Sequence, residues 1–183
     1  MGKKSEQEKM KTQPELSAGA EARIEILDFH FPAYNEIPDV GLYLKQVVRY
    51  LNDTLNPYFD IAITDTMISN YVKLHLVPGA VKKLYYRDHI ALFLFIILSK
   101  SMVSLDHIQT LLKLQQEQYE TKDAYIRFVT AFEKILRNIY GAEKEPLSEP
   151  EDSYQKLVKN VIIGIVQKYY IETCFRELDR IDG

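Results

Sequence analysis

Between Thr64 and Leu76, Thr66, Ser69, Asn70 and Lys73 recur at helical spacing. On a helix turning about 100° per residue they share a polar stripe roughly 100° wide. Met67, Ile68, Tyr71, Val72 and Leu74 fall on the other side. The stripe holds two hydroxyls, an amide and an ammonium and no carboxylate. These groups can donate to phosphate oxygens or read base edges in a DNA major groove. Just downstream, Val77-Pro78-Gly79 breaks the helix, and the short basic stretch through Lys82 and Lys83 to Tyr86 has the composition of a small wing. From Asn70 to Lys100 the cations are Lys73, Lys82, Lys83, Arg87 and Lys100, opposed by Asp88 alone. A local basic segment of this kind is what DNA binding requires. The expected DNA-contacting set is therefore Thr66, Ser69, Asn70, Lys73, Lys82, Lys83 and Arg87, with the alternative that the same surface binds another protein.

Other chemistry finds little support. The four histidines, His30, His75, His89 and His107, form no pair at metal-ligand spacing, and Cys174 has no partner cysteine. Neither a serine elbow nor an electropositive thiol pocket is indicated. The carboxylates of residues 143–152 lie in a linker that cannot hold a catalytic geometry. No enzyme activity, metal or cofactor is expected. Tyr169 and Tyr170 could line a small-molecule pocket, although core packing is the commoner use of such a pair. His75 is expected to pack or sit at a boundary; His89 and His107 fall in first turns, where exposure is expected.

The elements that must position this set read as helices. In a chain of 183 residues, 46% hydrophobic, there is enough apolar surface for one domain or two small ones. The net charge of −3 argues against nonspecific attraction of the whole molecule to nucleic acid or anionic lipid. Residues 1–20 are polar, lack the apolar core of a signal peptide and predict a disordered tail. Residues 21–38 predict an extended arm. Helices are expected over 42–55, stopped by Asn56-Pro57, then over 64–76, from Arg87 or Asp88 to about Ser101, and from Ser104 onward. The apolar run Ile90–Leu98 is about half the ~20 residues a membrane helix needs, so no membrane partner is expected. A helix rich in Tyr125, Phe128, Phe132 and Ile135 ends at Gly141, and a last helix spans 153–178. Its apolar face looks too wide for its neighbours, which predicts a homodimer through 153–178. Cys174 reads as a small buried hydrophobe in a reducing compartment, and the expected location is cytoplasmic.

Residues 38–112, from Pro38-Asp39-Val40-Gly41-Leu42-Tyr43 through Met67–Lys73 to Lys82–Arg87, resemble the bacterial family domain of unknown function 1836, for which no activity is assigned. A more distant resemblance is to winged helices of the mercury-resistance-regulator (MerR) type. The matching pieces are Leu76-Val77-Pro78, Lys82-Lys83, Leu84-Tyr85 and Ser104-Leu105-Asp106-His107-Ile108. MerR recognition helices carry an arginine and tyrosine pair that touches DNA; Ser69 and Asn70, followed by Tyr71, stand there in this chain, and the wing is shorter. The resemblance implies an all-α fold in which a MerR-like winged helix-turn-helix with its arm, 21–113, precedes C-terminal helices, 114–183, and it implies transcription regulation through DNA.

Overall fold

Apolar residues at helical spacing fold into six helices of nine residues or more: α1 Leu44–Phe59, α2 Asp65–Lys73, α3 Arg87–Ser99, α4 Leu105–Gln116, α5 Thr121–Tyr140 and α6 Ser153–Ile181. The computed structural model describes residues 26–141, 144, 146, 147, 149, 150 and 152–181, so the tail expected over 1–20 lies outside the described residues. Among them the chain is all-helical, with β pairing confined to two isolated bridges, Leu42–Tyr85 and Val81–Leu84.

Helix α3 is apolar on every side and becomes the buried axis of the molecule, contacting α1, α5 and α6. No helix among the described residues is long and apolar enough to cross a membrane. The polar stripe of α1 faces outward, while Val47, Leu51, Leu55 and Phe59 point into the core.

That helix does not stop at Asn56-Pro57 as its sequence predicts. It runs through Pro57 to Phe59 and is capped by Asp60 at φ 51°. A proline in a last turn removes a single backbone bond. In return Phe59 is buried against the rings of Phe29, Phe132 and Tyr169, at centroid distances of 4.8, 6.0 and 4.9 Å. Burying one aromatic side chain is worth about 2 to 3 kcal/mol, comparable to the cost of the proline.

The arm packs on α5 as well as on α1, where Phe29 meets Tyr58 and Phe59. Phe31 stacks edge-on against Phe128 and Phe132 at 5.7 and 5.2 Å. Its backbone N–H donates to Glu133 Oε1 at 3.0 Å, and Tyr125 Oη donates to the Pro32 carbonyl at 2.8 Å. A continuous core therefore joins the arm to all six helices.

Helix α6 lies against α3, α4 and α5. Gly164 faces the Met102 side chain, whose terminal methyl would lie 2.8 Å from a Cβ there. Ile162 and Ile165, the centre of the face assigned to a homodimer through 153–178, are fully buried within their own chain. Three helices cover the centre of this face, while Leu157, Ile171 and Phe175 on the same helix stay 47%, 51% and 62% exposed. Tyr169 and Tyr170 pack on Phe59 and Tyr140 at 4.9 and 5.1 Å, which is core packing. Cys174 is half-buried, not enclosed.

Candidate nucleic-acid interface

The tight connection between α1 and α2 is held by one side chain. Asn52 Nδ2 donates to the Val48 and Ile63 carbonyls, both at 2.9 Å, and Asn52 Oδ1 accepts from the Ile63 N–H at 2.9 Å. The carboxamide thus pairs with both polar groups of one backbone residue, as a β-strand neighbour would, and fixes where the next helix starts. One residue on, Thr64 caps α2 by accepting from the Met67 N–H at 3.3 Å, and Asp65 in the first turn complements the helix dipole.

Ile68 and Tyr71 anchor α2 in the core. Thr66, Ser69, Asn70 and Lys73 all face solvent, and none of these side chains has a hydrogen-bond or ion-pair partner among the described residues. Asp65 is also exposed, one turn before Ser69, so an acid borders the N-terminal end of the stripe.

The helix ends at Lys73, earlier than expected. His75 enters the left-handed region at φ 56°, its N–H donates to the Val72 carbonyl, and the Leu76 N–H reaches back to the Tyr71 carbonyl, each at 3.0 Å. This is a Schellman ending with histidine where glycine is usual. Consequently Leu76 and Val77 turn inward, while Leu74 and His75 stay exposed, which corrects the placement of Leu74 on the apolar side and of His75 at a boundary.

The basic stretch folds into the smallest possible hairpin. Val81 and Leu84 exchange backbone bonds at 2.9 and 3.0 Å, with Lys82 and Lys83 as the two-residue tip. Both lysines are left-handed, at φ 51° and 68°. A two-residue hairpin of the type I′ kind demands this, and it ordinarily selects Asn-Gly. Lysine costs about 1 to 2 kcal/mol per residue in that region. Leu42 pairs with Tyr85 through bonds of 2.8 and 2.9 Å and ties the hairpin to the segment before α1. Gly41 is needed for this pairing, since a Cβ would lie 2.8 Å from Leu84 Cβ.

Arg87 belongs to a different cluster. Its Nε donates to the Ile37 carbonyl at 2.8 Å and its Nη2 to the Asn35 carbonyl at 3.4 Å. Its Nη1 lies 3.6 Å from Asp39, and the guanidinium sits 5.4 Å from the centre of the Tyr34 ring. The guanidinium fastens the arm to the start of α3. Tyr34 donates to Asp88 beside it, and burial together with that hydrogen bond pushes its hydroxyl up to about 12. His89 corrects another expectation: it is buried, and its Nδ1 accepts the Tyr86 N–H at 3.0 Å as a cap for α3. His107 is exposed. Among the described residues no three of His, Cys, Asp and Glu converge as metal ligands.

The structure thus brings Thr66, Ser69, Asn70 and Lys73 onto one face of α2, puts Lys82 and Lys83 at a hairpin tip, and turns Arg87 to the arm. Asn52 and Gly41 escaped the sequence reading. The only hint of the first was an amide at the edge of an apolar stripe, four residues after Val48 and one after Leu51. The chain belongs to the family described as domain of unknown function 1836, whose model matches residues 32–135, more than half of its length. No curated protein and no solved structure matches it.

Proposed function

We propose that this chain is a DNA-binding regulator without catalytic activity. In this reading α1 and α2 form a helix-turn-helix, α2 is the recognition helix, and the 81–84 hairpin is a short wing. The order of elements is then that of a MerR-like winged helix. The observation that carries the reading is the unpartnered face of α2, Thr66, Ser69, Asn70 and Lys73, accompanied by a hairpin that holds two lysines in a costly conformation. Strained residues persist where the surrounding structure over-determines them, and they cluster at functional sites. Asn70 can pair with an adenine edge through two bonds; Lys82 and Lys83 meet phosphates. Arg87, occupied by the arm, supplies no phosphate contact in this scheme.

The test is selection from a random DNA pool followed by salt titration. Lys82→Ala with Lys83→Ala should weaken binding to all sequences alike and reduce the salt slope by about 2. Asn70→Ala should lower preference for the selected motif by about 1 to 3 kcal/mol, with less effect on random DNA. Wild-type protein that fails to bind DNA at low salt removes the reading.

A second reading, an all-helical protein-interaction module of the same shape, draws on a specific observation. Val40, Tyr43 and Val81, around the hairpin and its paired segment, are 72%, 59% and 54% exposed. Apolar side chains at that level suit a protein partner better than a phosphate backbone. Early elution from a heparin column with retained folding favours this alternative.

A further inference from the structure

We infer that the chain binds a neutral, largely apolar small molecule bearing a hydroxyl, in a cavity between α3, α4, α5 and α6. The cavity has a volume of about 340 Å³, is walled by Leu92, Phe95, Phe128, Ile135 and Val158, and includes Gln115 in its lining. That volume lies at the lower end of the range of small-molecule sites, which are typically apolar with a few placed polar groups. None of Thr66, Ser69, Asn70, Lys73, Lys82 or Lys83 lines it, so the inference does not depend on DNA binding.

Gln115 defines the ligand's chemistry. It is only 4% exposed, and its Nε2 donates to the Tyr119 carbonyl at 2.8 Å, so its Oε1 is left as an acceptor with no partner among the described residues. An unpartnered carboxamide oxygen on a residue this little exposed, in the lining of an apolar cavity, calls for a donor. Tyr119, which also lines the cavity, accepts from Gln155 Nε2 at 2.9 Å through its Oη, and its own hydroxyl hydrogen has no acceptor among the described residues. A ligand hydroxyl can donate to the first group and accept from the second. Of the cations that also line the cavity, Lys134 and Lys159 already have partners and Arg127 lies over the Tyr119 ring. A carboxylate would therefore find no unengaged cation to offset its charge against Gln115 Oε1, and a pure hydrocarbon would leave both groups unanswered.

The experiment uses the full chain and the fluorescent reporter N-phenyl-1-naphthylamine, a neutral diaryl with one N–H donor, displaced by 1-nonanol or by its methyl ether. The expected result is one reporter per chain, with the alcohol displacing it about tenfold more tightly than the ether, the worth of one hydrogen bond. Gln115→Met keeps side-chain length and removes the acceptor; it should bring alcohol and ether together while the reporter still binds. Ala131→Phe, which fills the cavity, should abolish reporter binding at an unchanged far-ultraviolet spectrum. Failure of the wild type to bind the reporter or the alcohol overturns the inference. So does full binding by Ala131→Phe, which would place the reporter elsewhere. An alcohol preference that survives Gln115→Met refutes the ligand chemistry.

Discussion

Asn52→Ala isolates the connection on which the orientation of α2 depends. The substitution removes two bonds to Ile63 and one to the Val48 carbonyl, and the latter is already satisfied within the helix. Each lost bond to Ile63 is worth about 1 kcal/mol, and stranding the partly buried N–H and carbonyl adds about 1 kcal/mol more. Alanine's better helix propensity returns about 0.6 kcal/mol. The net expectation is a loss of about 2 to 3 kcal/mol. For a chain of this size that lowers Tm by roughly 4 to 12 °C. Urea titration followed by circular dichroism measures it, with Asn52→Asp as a control that keeps the acceptor for the Ile63 N–H and loses the donor to its carbonyl. The control should be at least as destabilised as alanine, because its second carboxylate oxygen is set against the Val48 and Ile63 carbonyls. If Asn52→Ala stays within 0.5 kcal/mol of wild type, a threshold set by the ordinary scatter of surface substitutions, the carboxamide does not hold this connection and the reasoning fails.

Replacing Lys82 by Asn together with Lys83 by Gly should raise stability by about 1 to 2 kcal/mol in urea, because that pair fits the left-handed hairpin tip. The same variant should bind DNA more weakly, which would separate the stability of the tip from its use. Ile162→Asp, and equally Ile165→Asp, should unfold the chain or render it insoluble, since each puts a carboxylate into a core closed within one chain; a folded, soluble variant by circular dichroism and size exclusion would contradict the packing of α6. Burial first of all holds the hydroxyls of Tyr140 and Tyr154 at about 12, above the ordinary value of 10.0. Both are neutral when protonated, so their contribution to stability is complete below pH 10 and disappears as pH rises through 12. Thermal melts across pH 8 to 12 should be flat at first and then fall above about pH 10, and a Tm that holds steady to pH 12 would refute the assigned burial.

The sequence by itself determined those features whose causes act within one or two turns of chain. The cap at Thr64, the polar stripe from Thr66 to Lys73, the buried run of α3 and the cap at Ser104 all follow from periodicity and local hydrogen bonding. Features that depend on a distant partner were decided only by the tertiary structure. Arg87 resembles any other cation in its basic segment until Ile37, fifty residues earlier, presents its carbonyl. Pro57 looks like a helix stop until Phe59 finds Phe29, Phe132 and Tyr169. Glu133 receives the Phe31 N–H across 102 positions, which is why the arm belongs to α5 as much as to α1. Periodicity showed the wide apolar face of α6 but not that its centre, Ile162 and Ile165, is buried within the chain, because it counts only the residues of one helix. Whether a neighbour covers that face depends on how α3, α4 and α5 assemble around it, and the free energy of that assembly is spread over contacts far apart in sequence.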